Sequence, residues 1–265
     1  MLGKLLRHEM KATSRVFLPF FGVLLVFAGI NKLFLELGFF QKQGLNFVAG
    51  MSMFTYVILV LAIFVLTYVV MIQRFYKNLL GDEGYLMFTL PVKPSSHILA
   101  KLFVSTLWMV LAFVAFFLSL MILLAGPDMF RVMWDAFSQF VTAMNKELGV
   151  EGYVYIVEFL LMAVVSLFYS ILMIYAAIAI GHTMKSHKVL SSFAAYLILN
   201  MASQMILLLI VFAGSFGFDL IHPTVTQLQS YVHVLFIGSC VIELILAGAC
   251  YFITRHIFTR KLNLE

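Results

Sequence analysis

The stretch LFVSTLWMVLAFVAFFLSLMILLA, Leu102 to Ala125, runs 24 residues without a charged side chain. As a helix it rises about 36 Å, enough to cross a hydrocarbon core about 30 Å thick. A second stretch, Leu190–Gly214, is equally free of charge. The whole chain shares this character: of 265 residues, 63% are hydrophobic and 11% charged. Mean hydropathy is +1.06. Soluble domains carry roughly 45–50% apolar and about 25% charged residues, so lipid must act as solvent for much of this surface.

Working outward from Leu102–Ala125, four further stretches reach spanning length: Val16–Leu37, Met51–Gln73, Val154–Gly181 and His233–Ile253. The first is interrupted near its end by Lys32 and Glu36, which must reach toward the interface. The basic residues set direction. With the N-terminus inside, the cytoplasmic segments hold 13 Lys and Arg and the outer segments only 4, namely Lys32, Lys42, Arg131 and Lys146. That asymmetry follows the positive-inside rule and favours an even number of spans with both termini cytoplasmic. It accounts for most of the net charge of +5 and gives no reason to expect nucleic acid. No small-residue cleavage site follows the first apolar stretch, so it does not read as a secretory signal. Cys240 and Cys250 fall in one span, about 15 Å apart along a helix, too far to bridge.

Outside the spans, Leu2, Leu5, Leu6, Met10 and Thr13 share one helical face, and Lys4, Arg7, Lys11 and Arg15 the other. Residues 1–15 therefore read as an amphipathic helix in the cytoplasmic interface. Glu9 interrupts the apolar face, which fits either a frayed, tilted helix or a contact to a cytoplasmic partner. Residues 126–153 carry Met133, Phe137, Phe140, Val141, Met144 and Leu148 at helical spacing and read as an amphipathic outer helix. Residues Ser215–Val232 read as a short re-entrant or broken helical excursion. The longest cytoplasmic segment, 74–101, contains GDEGYLMFTLPVKPSSHILAK, Gly81–Lys101. Its run of Tyr85, Leu86, Met87, Phe88 and Leu90 is unusually apolar for a cytoplasmic loop. Such a cluster marks a docking surface or a dip into the headgroups.

This loop resembles the first cytoplasmic loop of the membrane subunits of type-2 ABC transporters, the exporter-type permeases. The matching residues are Glu83, Gly84, the apolar run Tyr85–Leu90, Pro91, Val92, Ile98–Leu99 and Lys101. LLRHEMKAT near the N-terminus is similar to the family's amphipathic connecting helix, and six spans fit the family layout. Arg74–Val92 further resembles permeases common in Gram-positive anaerobes. Tyr85 and Met87 depart from the Thr and second Glu common in the family. The resemblance implies an all-α integral membrane fold over 1–265, with a cytoplasmic coupling helix between spans two and three. It implies that cytoplasmic ABC ATPase subunits grip Asp82, Glu83, Gly84, Tyr85, Leu86, Phe88, Leu90 and Pro91. ATP and Mg would sit in those partners, with no cofactor on this chain. A second permease copy or a sister permease would complete the assembly in a bacterial plasma membrane. No G-x-x-x-x-G-K-[ST] phosphate loop occurs in the sequence, so ATP hydrolysis is expected in a partner and this chain is not expected to be an enzyme.

Two acids fall within spans, Glu158 near an outer end and Glu243 near a middle. A charge at mid-bilayer costs at least about 2.5 kcal/mol on insertion scales, so such residues face protein or water. Asn200 and Glu243 lie at similar depth, and Asn200, Ser203 and Gln204 could hydrogen-bond Glu243 as glue between helices or as part of an export path. In the resembled family spans two and five face the dimer axis, which makes Thr55, Thr67, Asn200 and Gln204 better path candidates than Glu243. The competing reading is a stand-alone secondary transporter driven by protons through Glu243. The histidines show no metal spacing, no internal repeat supports an inverted-repeat transporter, and Gly214-Ser215-Phe216-Gly217 lacks a placed base for intramembrane proteolysis. No catalytic or metal site is expected.

Overall fold

A computed structural model describes residues 2–80, 94–184, 187–215 and 224–260. About 93% of the structure is helical, and no strand occurs among the described residues. The helices are α1 (Leu2–Glu36), α2 (Leu45–Leu80), α3 (Pro94–Leu124), α4 (Met129–Glu147), α5 (Val150–His182), α6 (Lys188–Ser215) and α7 (Val225–Arg260). All but α4 are long and apolar enough to cross a membrane, six in number among the described residues. These six match the stretches read from the sequence, each extended at one or both ends.

The extensions have simple causes. Residues 2–15 and the first apolar stretch form one uninterrupted helix rather than an interfacial helix followed by a span. Pro19 lies inside α1 and removes one backbone donor, and the helix runs on through it and through Gly22 and Gly29. Lys32 and Glu36 do not break α1 either: they pair at 3.2 Å one turn apart, an arrangement worth a few tenths of a kcal/mol in an exposed helix. Gly38, in the left-handed region at φ 67, then ends the run. The expected outer helix over 126–153 is two pieces. Gly149, at φ 58 and ψ −134, separates α4 from α5 in a conformation that L side chains rarely adopt. Of the expected excursion at Ser215–Val232, residues 216–223 lie outside the described set, and the rest belongs to the ends of α6 and α7.

The chain divides into two compact units, residues 1–74 with 99–141, and residues 75–98 with 142–265. In the first, α1, α2 and α3 share a seam. Along α3 the buried residues Lys101, Ser105, Trp108, Ala112, Ala115 and Ser119 alternate steps of four and three, the spacing of a coiled-coil face. Ala49, Tyr56 and Ile63 recur every seven residues on α2, and Glu9, Thr13, Phe17, Leu24, Ala28 and Asn31 supply α1. Small residues on α3 let helix backbones approach without a hydrophobic driving force. Polar groups fix the register: the Tyr56 hydroxyl meets Ser119 Oγ at 2.9 Å, and Asn31 Nδ2 donates to the Ser52 carbonyl at 3.3 Å.

In the second unit α5 is the central helix, packed along both α6 and α7. Its last turns, from Tyr169 to Gly181, are almost continuously buried. The end of α2 joins this unit through Phe75, fully buried and stacked on Tyr175 with centroids 3.8 Å apart. Gly181 lies directly against the backbone of Ser192 on α6, where a Cβ would collide. Gly181→Ala is therefore expected to lower stability by about 1–3 kcal/mol through overpacking. Gly248→Ala on α7, where nothing lies within 4 Å, is expected to be neutral or slightly stabilising. Thermal unfolding of the two variants in one detergent separates these outcomes.

Candidate functional site

The best-defined polar site belongs to the first unit. Glu9 occupies the buried face of α1, where Met10 and Leu6 pack beside it around Phe17, Val104 and Trp108. Its carboxylate is only 8% exposed and accepts from two cations, each at 2.8 Å: Arg74 Nη1 on Oε2 and Lys101 Nζ on Oε1. Arg74 is 28% exposed and Lys101 5%. Beneath the ions, Trp108 Nε1 donates to Thr13 Oγ1 at 2.7 Å, and Thr13 donates to the Glu9 carbonyl at 2.8 Å. The Trp108 ring stacks on Phe17 with centroids 4.6 Å apart. Each buried charge is thus paired, as burial in a low dielectric demands.

The position of these ions matters more than their strength. Arg74 lies in the last turns of α2 and Lys101 in the second turn of α3. They are the two limits of the loop that the sequence singled out, and one carboxylate of α1 holds both. The apparent flaw in the amphipathic N-terminus is neither fraying nor a free contact point; Glu9 is used internally. In the sequence, Arg74 and Lys101 stand out only as part of the positive-inside count. The signal was present as a lone acid on an apolar face with two cations flanking the same loop. The loop residues themselves, Asp82, Glu83, Gly84, Tyr85, Leu86, Phe88, Leu90 and Pro91, lie outside the described residues.

The second unit carries several polar contacts among its described residues. Ser166 Oγ donates to Glu243 Oε2, so the partner of the mid-span acid is on α5. The expected bond from α6 does not form: Gln204 Nε2 donates instead to Asn200 Oδ1 at 2.7 Å, and Ser203 Oγ to the Asn200 carbonyl at 2.8 Å. A helix satisfies its own polar groups at i, i+4 spacing without ordering a neighbour. Glu158 meets His233 Nδ1 at 2.8 Å, 12% and 26% exposed respectively, with the Tyr155 ring stacked on the imidazole at 4.5 Å. The Tyr155 hydroxyl donates to the Gln229 carbonyl at 3.2 Å. Partners across these two helices differ in sequence by 74, 75 and 77 positions. That nearly constant offset is what two parallel helices in fixed register produce.

Of the remaining path candidates, Thr55 and Thr67 belong to the first unit and Asn200, Gln204 and Glu243 to the second. Thr67 is fully buried and returns its hydroxyl to the Ile63 carbonyl at 2.8 Å. Thr55 does the same to Met51 at 2.8 Å. Among the described residues, no group of three His, Cys, Asp or Glu side chains is arranged to hold a metal ion. No protein-family model, curated protein or solved structure matches this chain.

Removing Glu9 would leave two cations at a buried seam without their shared carboxylate, a loss of about 3–5 kcal/mol for a buried pair. Glu9→Ala is expected to destabilise the protein by about that amount. Glu9→Gln combined with Lys101→Met, which removes the most buried charge along with its partner, is expected to recover most of it. Unfolding of the single and double variants in detergent gives the comparison.

Proposed function

We propose that this chain is the membrane-spanning permease subunit of an ATP-driven ABC exporter. It lies in a bacterial plasma membrane with both termini in the cytoplasm. Cytoplasmic ATPase subunits supply hydrolysis, with ATP and Mg bound in them, and a second permease copy or a sister permease completes the path. The observation that carries this reading is the grip of Glu9 on Arg74 and Lys101, both at 2.8 Å. A loop that receives force from a partner must pass it into the spans through something stiffer than loop backbone. Here both arms of the 74–101 loop are held to α1 by charge-assisted hydrogen bonds, which are shorter and stronger than neutral ones. Six helices of spanning length and the apolar, acid-led sequence Asp82–Pro91 agree with the same reading.

The polar groups in the second unit fit interhelical fixation. Glu243 has a serine partner in the neighbouring helix, and in hydrocarbon such a bond contributes on the order of 0.6–2 kcal/mol. Gln at position 243 can accept the same bond through its carbonyl.

Purified alone, the chain is expected to show no ATP hydrolysis; expressed with the ATPase encoded beside it, the two are expected to co-purify. Deletion of Asp82–Pro91 is expected to abolish that association, and association that survives the deletion rejects the coupling role. Glu243→Gln is expected to leave association and ATP-driven transport intact. Proton-gradient-driven flux by the chain alone, lost in Glu243→Gln, would instead establish the secondary-transporter reading.

A further inference from the structure

A cleft of about 720 Å³ opens in the second unit, between the end of α2 and the start of α6. Its walls are Tyr76 from α2 and His187, Lys188, Val189, Leu190 and Phe193 from the start of α6. The two sides are well held. Phe75, next to Tyr76, is stacked against Tyr175, and the Tyr76 ring lies 5.4 Å from that of His182. On the other side Ser192 sits against Gly181.

Its lining is of two kinds. The polar groups are a lysine ammonium, an imidazole and a phenol. Lys188 meets no carboxylate at ion-pair distance among the described residues, where the ion pairs are those of Lys32, Arg74, Lys101 and His233. The apolar groups, Val189, Leu190 and Phe193, are 72%, 66% and 59% exposed. They begin the apolar surface of a helix long enough to span a membrane. His187 is the only described residue other than glycine with positive φ, at 53. A side chain in that region costs energy, and such positions persist where the surroundings or a function require them. On the positive-inside reading of the sequence this end of α6 faces the cytoplasm, where anionic lipids draw basic groups to the membrane surface.

We propose that this cleft binds an anionic phospholipid. The phosphate sits against Lys188, with His187 and Tyr76 donating hydrogen bonds, and the upper acyl chain lies along Val189, Leu190 and Phe193. A soluble anion would use the cation and leave the apolar wall in water. A neutral lipid would use the wall and leave the lysine unmatched. An anionic amphiphile satisfies both, and it arrives from the solvent that already surrounds α6. The proposal is independent of the exporter reading; it needs only that α6 enter the membrane from this end.

The test uses the full chain purified in detergent and titrated with fluorescent phosphatidylglycerol or phosphatidylcholine in mixed micelles. Three variants are compared with the unaltered protein: Lys188→Ala, His187→Gly, and Lys146→Ala as a distant control. His187→Gly removes the imidazole while relieving the positive φ, so a purely structural role for His187 predicts equal or better stability and unchanged lipid binding. Phosphatidylglycerol is expected to bind in preference to phosphatidylcholine. Lys188→Ala is expected to weaken it about fivefold, the effect of one basic group near an anionic surface. His187→Gly should weaken it measurably without lowering the unfolding temperature, and Lys146→Ala should change nothing. Equal binding of the two lipids, no loss in Lys188→Ala, or full competition by millimolar inorganic phosphate would each overturn the proposal, the last by assigning the site to a soluble anion.

Discussion

A carboxylate that leaves water must be met by cations, and in this protein that requirement organises one end of a helical bundle. Glu9 could have been solvated at the membrane surface. It instead lies on the buried face of α1, and the penalty for desolvating it is offset by Lys101 and Arg74 together. Because those cations come from α2 and α3, the pairing fixes where three helices stand relative to one another. Thr13, Trp108 and Phe17 continue the same seam with a hydrogen bond, an indole and a stacked ring. The joint ties the last turns of α2 and the first turns of α3 to α1. A loop held at both limits by one residue can transmit force, and that is why the joint is central to the proposed function.

The rest of the first unit follows from what hydrocarbon does not provide. Apolar side chains gain little by leaving lipid for one another, so close contact and hydrogen bonds must supply specificity. The α3 seam has alanine and serine where the helices meet, and the Tyr56–Ser119 and Asn31–Ser52 bonds set which residues face which. The second unit solves the same problem differently. There α5 is buried along its last turns, while Ser166–Glu243 and Glu158–His233 hold α7 in parallel register. Asn200 and Gln204, by contrast, bond each other within α6 and do not reach across.

How much of this could be read in advance depended on the range of the interaction. Spans are local: a run such as Leu102–Ala125 announces itself by length and absence of charge. Their ends were read short, because helix continues into the charged flanks wherever no glycine or turn residue stops it. Gly38 and Gly149, both at positive φ, stopped it where hydropathy could not say. Glu9 was visible as an interruption of an apolar face, but its use was not. Naming its partners requires knowing that residues 65 and 92 positions away return to the same place. Glu243 was expected to pair with α6 and pairs with Ser166 on α5 instead, since depth along a helix does not tell which adjacent helix carries the partner. His233 passed as a scattered histidine because nothing near it in sequence is acidic; Glu158 is 75 positions away.

Six apolar stretches of membrane length, and an anomalously apolar segment between residues 74 and 101, are legible in the sequence. These are sums over neighbouring residues, and a bilayer reads them without reference to the rest of the chain. The tertiary structure alone decided that Glu9 closes on both limits of that loop, that α5 and α7 run in fixed parallel register, and that Lys188 and His187 share a cleft with Tyr76. Each of these depends on which faces meet. In a chain whose faces are nearly all apolar, hydrophobicity cannot choose among them. The few buried polar groups can, because a carboxylate or hydroxyl in hydrocarbon is directional and costs energy when left without a partner.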